Sequence, residues 1–453
     1  MADQSASNTR LIRLQREAGL SGEELARKVN AAGREMGVSL RYSRASVSQW
    51  RSGTRPRPPV PGLIAEVLSR SLGRSITAAD AGFPQGGGAV SSGDDPLDSL
   101  DALARLDRTG GASPEDHGHS EHVFTLHGLV APAWHPRTVS PAPHGRGPHP
   151  MRIGQSEIDA ADEMLAVFSK AEALHGASRV APLLRDYLQR TMAFWLRCPA
   201  GADTRRRLLR TAAHLAYLCG FAYFDLEEHG LAQRFYRISL LLAAEGDDAW
   251  GYAVALRAMS VQAFHLGHHG HALDLSSAAV HTAPRETDRV SKAFFHGQVA
   301  VTQAQQGGRE AALRSLRSAE RHLEAATSRP GPLAYHWAAL AHQRAVVRGL
   351  LGDRRGATSD FVNAVRWRPA SERRSTALLY ARLAEHQLSG GELEQAAVNW
   401  HRFLDIYPSI RSGRARSALA VLRARVRPHA AHTSGQYLLA RATELWRLPA
   451  RDL

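Results

Sequence analysis

Hydrophobic positions along most of this chain recur at the 3.6-residue period of amphipathic helices. The pattern predicts four short helices within residues 8–83, and from about Glu157 onward it is almost continuous, rich in Ala, Leu and Arg and interrupted by Gly or Pro. Between them lies a stretch rich in Gly, Pro and Ser. We therefore predict an all-α fold with an N-terminal domain over 1–83, a flexible linker over 84–155 and a helical repeat domain over 156–453.

The N-terminal helices have clear boundary signals. Ser21 and Glu24 form the S-x-x-E pattern of a capping box at the start of the second helix. A third helix is expected to begin after Ser43 and to end at Gly53, with Val47 and Trp50 turned towards the core. A fourth amphipathic helix is predicted over 59–73.

The linker opens with GFPQGGGAVSSGDD and closes with SPAPHGRGPHP, compositions that bury too little apolar area to offset the ordering of the chain. Two islands in it resemble ordered elements, a short helix over 95–108 and a short strand over 122–130. The linker also has seven histidines, at 117, 119, 122, 127, 135, 144 and 149. Because a Gly/Pro-rich chain offers little preorganisation, we expect no metal and no cofactor.

The C-terminal part repeats with a period of about forty residues. Four glycines predicted to break helices are 40, 45 and 39 residues apart: Gly267, Gly307, Gly352 and Gly391. Small residues stand seven before each glycine: Ser260, Ala300, Ala345 and Ala384. Alanines stand five after each: Ala272, Ala312, Ala357 and Ala396. A weaker earlier copy fits if Glu227 takes the place of the glycine.

This combination resembles the tetratricopeptide repeat, in which two antiparallel helices pack closely and stack into a superhelix. The resemblance implies a concave groove, lined by the first helix of each pair, that binds a peptide, small-molecule or protein effector. The residues that it assigns to this effector groove are Arg257, His265, Gln305, His342 and Glu385. Their polar and partly basic character favours a ligand with carboxylates or exposed backbone.

The N-terminal segments LQREAGLSGEELARKV and SRASVSQWRSGTRPRP resemble the repressor-type helix-turn-helix of the XRE family. One feature departs from that family, because the segment NAAGREMGVSL (30–40) adds about eleven residues to a turn that usually has three or four. This insertion either lengthens the second helix and loops outward, leaving the motif intact, or it displaces the recognition helix. Both outcomes are compatible with the sequence.

The resemblance implies that the third helix reads double-stranded DNA in the major groove. It assigns base contacts to Arg44, Ala45, Ser46 and Gln49, since Arg suits guanine and Gln suits adenine. It assigns phosphate contacts to Ser43, Arg51, Arg55 and Arg57. Residues 10–57 contain eleven basic and four acidic side chains, and the whole chain has a formal net charge of +14, which favours a polyanionic partner.

The phrase RPRPPVPGLIAEVLSRSLGR (55–74), with the variable linker and the repeats, is also similar to a group of streptomycete negative regulators of sporulation and antibiotic production. That resemblance implies a transcriptional regulator, a repressor. We expect a cytoplasmic, nucleoid-associated protein. We also expect a homodimer, because one such unit makes too few base contacts for high specificity.

Other classes of protein lack their sequence signals. None of the motifs G-x-x-x-x-G-K-[ST], H-E-x-x-H or G-x-S-x-G occurs, so we do not expect an enzyme. No apolar run approaches the roughly 20 residues that cross a bilayer, so we expect no membrane anchor. The alternative to a DNA-binding regulator is a tetratricopeptide scaffold or adaptor whose helix-turn-helix is a relic that contacts protein. The effector and the operator are not encoded in any motif.

Overall fold

The computed structural model describes residues 7–35, 40–57, 59–74, 76–83, 96–109, 124–139, 152–326 and 335–447. All regular elements within these ranges are helices, which confirms the predicted all-α fold. The chain divides into two compact units. One consists of Met1–Pro132 with Glu228–Arg237, and the other consists of Ala133–Glu227 with Ile238–Leu453.

The N-terminal unit contains five helices before the repeats begin. They are α1 (Thr9–Glu17), α2 (Gly22–Glu35), α3 (Arg44–Arg51), α4 (Val60–Leu72) and α5 (Pro96–Thr109). The helix predicted over 95–108 is therefore present as α5. The first four share one apolar core, which includes Leu11, Leu25, Val47, Trp50 and Leu63.

Local side-chain chemistry sets these boundaries as the sequence predicts. Ser21 N–H donates to Glu24 Oε2 at 2.8 Å, and Glu24 N–H donates to Ser21 Oγ at 3.1 Å, so the capping box at the start of α2 is reciprocal. After α3 the chain reverses at Gly53, where φ is +99°. This left-handed conformation is cheap for glycine alone, which explains why the helix ends there.

The insertion after Asn30 does not detach α3 from α2. The helix α2 continues to Glu35, and residues 36–39 lie outside the described ranges. Asn30 Nδ2 donates to Tyr42 O at 2.8 Å, and Tyr42 N–H donates to Asn30 Oδ1 at 2.8 Å. These paired bonds join the two ends of the inserted segment, while Tyr42 packs edge-on against Trp50 at 5.1 Å between ring centroids. The insertion therefore lengthens α2 and leaves α2 and α3 packed together.

The strand predicted over 122–130 is wrong, because the described residues 124–130 contain a 3-10 turn at His127–Leu129 instead. Backbone groups in this segment bond to side chains rather than to a neighbouring strand. Thr125 N–H donates to Gln233 Oε1 at 3.0 Å and Leu126 N–H donates to Glu66 Oε2 at 3.0 Å. Five of the seven predicted linker histidines, and residues 84–95, 110–123 and 140–151, lie outside the described residues.

The remaining helices follow one another in close succession. They are α6 (Gln155–His175), α7 (Ala181–Asp186), α8 (Ala193–Arg197), α9 (Ala202–Asp225), α10 (His229–Glu245), α11 (Ala249–His265), α12 (His269–Thr282), α13 (Arg289–Gln305), α14 (Arg309–Glu324), α15 (Trp337–Leu350), α16 (Arg354–Arg366), α17 (Arg373–Leu388), α18 (Leu393–Ile406), α19 (Gly413–Val426) and α20 (Thr433–Arg447). A π-helical turn, Tyr187–Met192, joins α7 to α8.

The forty-residue repeat is a series of antiparallel helix pairs, α11/α12, α13/α14, α15/α16 and α17/α18. All four predicted glycines lie in the turns between the two helices with φ of +77° to +86°. The small residues seven before and five after them are all at most 1 % exposed, as close packing of the two helices requires. In the weaker copy Glu227 adopts the same left-handed conformation, with φ of +64°. The structure therefore confirms the tetratricopeptide-like α-solenoid.

We expect Asn30→Ala to loosen α3. The substitution removes both hydrogen bonds to Tyr42, so the N–H and C=O groups of this half-buried residue lose their partners. An unsatisfied buried group costs about 1–3 kcal/mol in the free energy of unfolding. Hydrogen exchange of peptides that cover α3 measures this change as faster opening. Asn30→Asp retains the acceptor for Tyr42 N–H and should show a smaller effect. Wild-type exchange rates in Asn30→Ala would contradict the role given to this pair.

Candidate functional site

The first helices of the pairs stand side by side and enclose a cavity of about 1020 Å³. Residues of α6, α9, α11, α13, α15, α17 and α19 line it. In space, α6 contacts α9, α9 contacts α11, α11 contacts α13, and α13 contacts α15. The helix α17 contacts both α19 and α6. The helices thus make a complete superhelical turn, so helices of this unit surround the predicted groove laterally, and the groove remains open to solvent.

The turn closes through direct backbone contact between its two ends. Arg411 N–H donates to His175 O at 2.7 Å, and Ser178 N–H donates to Arg411 O at 3.2 Å. Gly413 packs so tightly that a Cβ there would lie 2.5 Å from Leu226 O. Only glycine permits this approach without a backbone shift.

Beside this contact lies a buried charged cluster, which we call the seam cluster: Glu172, Asp225, Arg374 and Arg414. Arg374 Nε lies 2.9 Å from Glu172 Oε1, and Arg374 Nη1 lies 3.2 Å from Asp225 Oδ1. Arg414 Nη2 lies 3.0 Å from Asp225 Oδ1. The partners of Arg374 are 202 and 149 residues away in sequence, so this one side chain joins both ends of the turn.

The pKa values of the two carboxyl groups in the seam cluster shift in opposite directions. Burial raises the pKa of Glu172, and Arg374 only partly offsets that penalty. At Asp225 burial also disfavours the charged form, but the guanidinium groups of Arg374 and Arg414 outweigh it and lower the pKa. The cluster is therefore held together chiefly at Asp225, which remains ionised.

Aromatic side chains make up much of the cavity wall. The guanidinium carbon of Arg257 lies 3.5 Å from the centroid of the Phe294 ring, and Arg257 Nε donates to Phe294 O at 3.0 Å. Tyr335 Oη donates to Gln343 Oε1 at 2.6 Å. Burial, with further repulsion from Arg368, Arg382 and Arg414, lowers the pKa of His342 to about 3. His342 is consequently neutral near pH 7.

Four of the five residues predicted for the effector groove line this cavity: Arg257, His265, His342 and Glu385. The fifth, Gln305, is the last residue of α13 and is not part of the lining. The seam cluster could not be predicted from the sequence. Its residues have no common spacing, and only the completed turn of helices brings them together.

The residues predicted to contact DNA lie on the surface of the N-terminal unit. Ser43, Arg44, Ala45, Gln49, Arg51, Arg55 and Arg57 are exposed. Ser46 is partly buried, and its Oγ accepts a hydrogen bond from Ser43 N–H at 3.3 Å, so this hydroxyl takes part in capping α3. Val47 and Trp50 on the opposite face are buried, as predicted.

Two kinds of site are not found in the described ranges. No group of three or more His, Cys, Asp or Glu side chains converges there in a way that could hold a metal ion. No helix of that part of the chain is long and apolar enough to cross a bilayer. Cys198 and Cys219 are both buried, and each is a free thiol that forms no disulfide.

Comparison with known proteins gives one match at the level of families. The family described as SP15 N-terminal domain matches residues 11–84, which cover most of α1 and all of α2, α3 and α4. No curated protein matches the chain.

Two solved structures illustrate what its fold is similar to. A chain of the APC/C hetero-tetramer Cut9–Hcn1 is 14 % identical, with a TM-score of 0.33, over 96 % of this chain and 74 % of that chain. A monomeric IFIT1 mutant with Gppp-AAAA is 12 % identical, with a TM-score of 0.34, over 98 % of this chain and 96 % of that chain. Because these scores are low, neither structure defines the fold. The helix pairs of the chain itself define its class, an all-helical tetratricopeptide-like repeat protein.

We expect Arg374→Ala to destabilise the closed turn. It leaves the buried Glu172 and Asp225 carboxylates without their shared partner, a loss of about 3–5 kcal/mol in the free energy of unfolding. Chemical denaturation of the full chain measures this loss. The adjacent Arg373 is exposed, and Arg373→Ala should change stability by less than about 0.5 kcal/mol. Equal effects of the two substitutions would refute the closing role of Arg374.

Proposed function

We propose that this protein is a non-catalytic binding protein whose helical repeats hold a partner or effector inside the closed turn. The observation that carries the proposal is the cavity of about 1020 Å³ surrounded by the helices of the repeats. Its size is at the upper end of the range for small-molecule sites and also accommodates a short extended peptide. This corresponds to the scaffold or adaptor alternative, with the repeats as the principal working part.

The lining supports binding rather than passive packing. Half-buried apolar side chains such as Val261 and Val346 line the cavity together with polar groups, among them Glu385, whose carboxylate makes no hydrogen bond or ion pair with the described residues. Apolar walls with a small number of convergent polar groups are typical of ligand sites, because burial of the ligand provides affinity and the polar groups orient it.

A cavity-filling substitution tests this function. Val346→Trp places an indole in the cavity, whereas Val398→Trp makes the same change on α18, where the side chain is 54 % exposed and does not line the cavity. Tagged full-length proteins are purified from the cells that produce them, and bound peptides and small molecules are identified by mass spectrometry. We expect a ligand that is retained by wild type and Val398→Trp but depleted about tenfold or more in Val346→Trp, a change of about 1.4 kcal/mol.

The opposite result is equally clear. If Val346→Trp remains folded and retains every component that Val398→Trp retains, the cavity does not bind the partner. Thermal unfolding of both variants provides the folding control.

A second function, DNA binding by the N-terminal unit, is favoured by the exposure of one face of α3. Arg44, Ala45 and Gln49 are exposed while Val47 and Trp50 anchor the helix in the core, as a helix in the major groove requires. The expected homodimer and nucleoid association depend on this second function. The regulatory role in sporulation and antibiotic production rests on the sequence resemblance alone.

Salt-dependent binding to duplex DNA tests the second function. If the unit binds phosphates, affinity for random duplex should fall steeply between about 50 and 200 mM salt, and Arg51→Ala with Arg55→Ala should reduce that slope. Arg44→Ala with Gln49→Ala should instead weaken binding to a selected operator. Arg317→Ala with Gln395→Ala removes the same residue types from exposed positions of the repeats as a control. A flat salt dependence in wild type would exclude DNA binding and leave the adaptor function standing.

A further inference from the structure

Two arginines in the cavity differ from the others that line it. Arg382 on α17 and Arg425 on α19 are exposed within the lining, and neither guanidinium has an ion-pair or hydrogen-bond partner among the described residues. Three neighbouring arginines are paired: Arg368 with Glu372, Arg374 with Glu172, and Arg414 with Asp225. The positive charges of Arg382 and Arg425 are therefore not neutralised by an ion pair within the described residues.

The acid closest in sequence to Arg382, Glu385, does not neutralise this pair. Glu385 follows Arg382 by one turn of α17 and lines the same cavity. Burial raises the pKa of the Glu385 carboxyl, and the attraction of Arg382 and Arg425 offsets only part of that rise. Among the described residues, no ion pair or hydrogen bond joins the Glu385 carboxylate to Arg382 or Arg425. Both arginines thus have donors available for another anion.

Between this pair and the seam cluster, the lining side chains of α17 and α19 are mainly apolar, with Ser375 and Ser417 next to the seam cluster. Arg382 lies eight residues beyond Arg374 on α17, about 12 Å along the helix, and Arg425 lies eleven residues beyond Arg414 on α19, about 16 Å. In between, the lining stripes of the two helices include Leu378 and Val421. An elongated ligand in this space meets apolar walls along its length and two arginines at one end.

Building on the proposed binding function, we infer that the cavity selects an apolar ligand that ends in a carboxylate or comparable anion, with the anion held by Arg382 and Arg425 and the apolar body packed along α17 and α19. Arginine suits this task because its planar fork of donors matches a carboxylate and remains charged at all physiological pH values. The same chemistry is present in a long-chain carboxylic acid and in the free C-terminus of an apolar peptide.

A matched pair of fluorescent probes separates recognition of the anion from burial of the apolar body. Anilinonaphthalene sulfonate and its uncharged counterpart phenylnaphthylamine are titrated into the full-length protein and three variants. Arg382→Gln with Arg425→Gln should weaken binding of the sulfonate about tenfold, as expected for loss of charge-assisted hydrogen bonds, and change binding of the neutral probe less than about twofold. Arg373→Gln with Arg427→Gln removes two exposed charges next to the same helices and should change neither affinity. Val346→Trp should weaken both.

Competition then identifies the source of the carboxylate. Dodecanoate and the free acid of acetyl-trileucine are compared with dodecanol and acetyl-trileucine amide as competitors for the neutral probe. An acid that displaces the probe at about tenfold lower concentration than its neutral counterpart supports the inference, and whichever acid does so names the source.

The remaining outcomes overturn one proposal or the other. If Arg382→Gln with Arg425→Gln weakens both probes equally, or neither, the anion selectivity is refuted while binding in the cavity stands. If Val346→Trp leaves both probes bound as in wild type, they do not occupy the cavity, and the proposed binding function fails with it.

Discussion

The architecture of the repeats depends on the burial of Arg374 between Glu172 and Asp225. An arginine that is 5 % exposed is tolerated only if its charge and its donors are satisfied, and here the partners come from helices at the far end of the superhelical turn. Separation of Arg374 from Glu172 and Asp225 would leave a buried charge without a partner. The cluster therefore favours one specific arrangement of helices over the open grooves that the same repeat could form.

Closure of the superhelical turn converts the concave surface of the repeats from a groove into a cavity. An open solenoid presents a shallow groove, whereas this one surrounds a deep cavity, open to solvent, with apolar walls and charged groups at defined positions along its length. Inside such a space electrostatic interactions are stronger than in bulk water. For that reason a ligand anion should interact more strongly with Arg382 and Arg425, which have no ion pair, than with the paired arginines near the seam cluster.

The N-terminal unit shows where sequence reasoning succeeds. Its helix boundaries follow from caps and glycines, signals that act within a few residues, and the structure reproduces them at Ser21, Glu24 and Gly53. The effect of the inserted segment could not be predicted in the same way. It was decided by the paired bonds between Asn30 and Tyr42, which are twelve residues apart and have no characteristic spacing.

The sequence by itself determined the helices, their pairing and the positions that must be small, because left-handed turns and close helix contacts restrict residue type locally. Only the tertiary structure decided that the turn closes, that Gln305 lies outside the cavity lining, and that Glu172 meets Arg374 across 202 residues. These outcomes depend on the curvature of the whole superhelix, which accumulates from small rotations at every repeat. No single stretch of sequence encodes that sum.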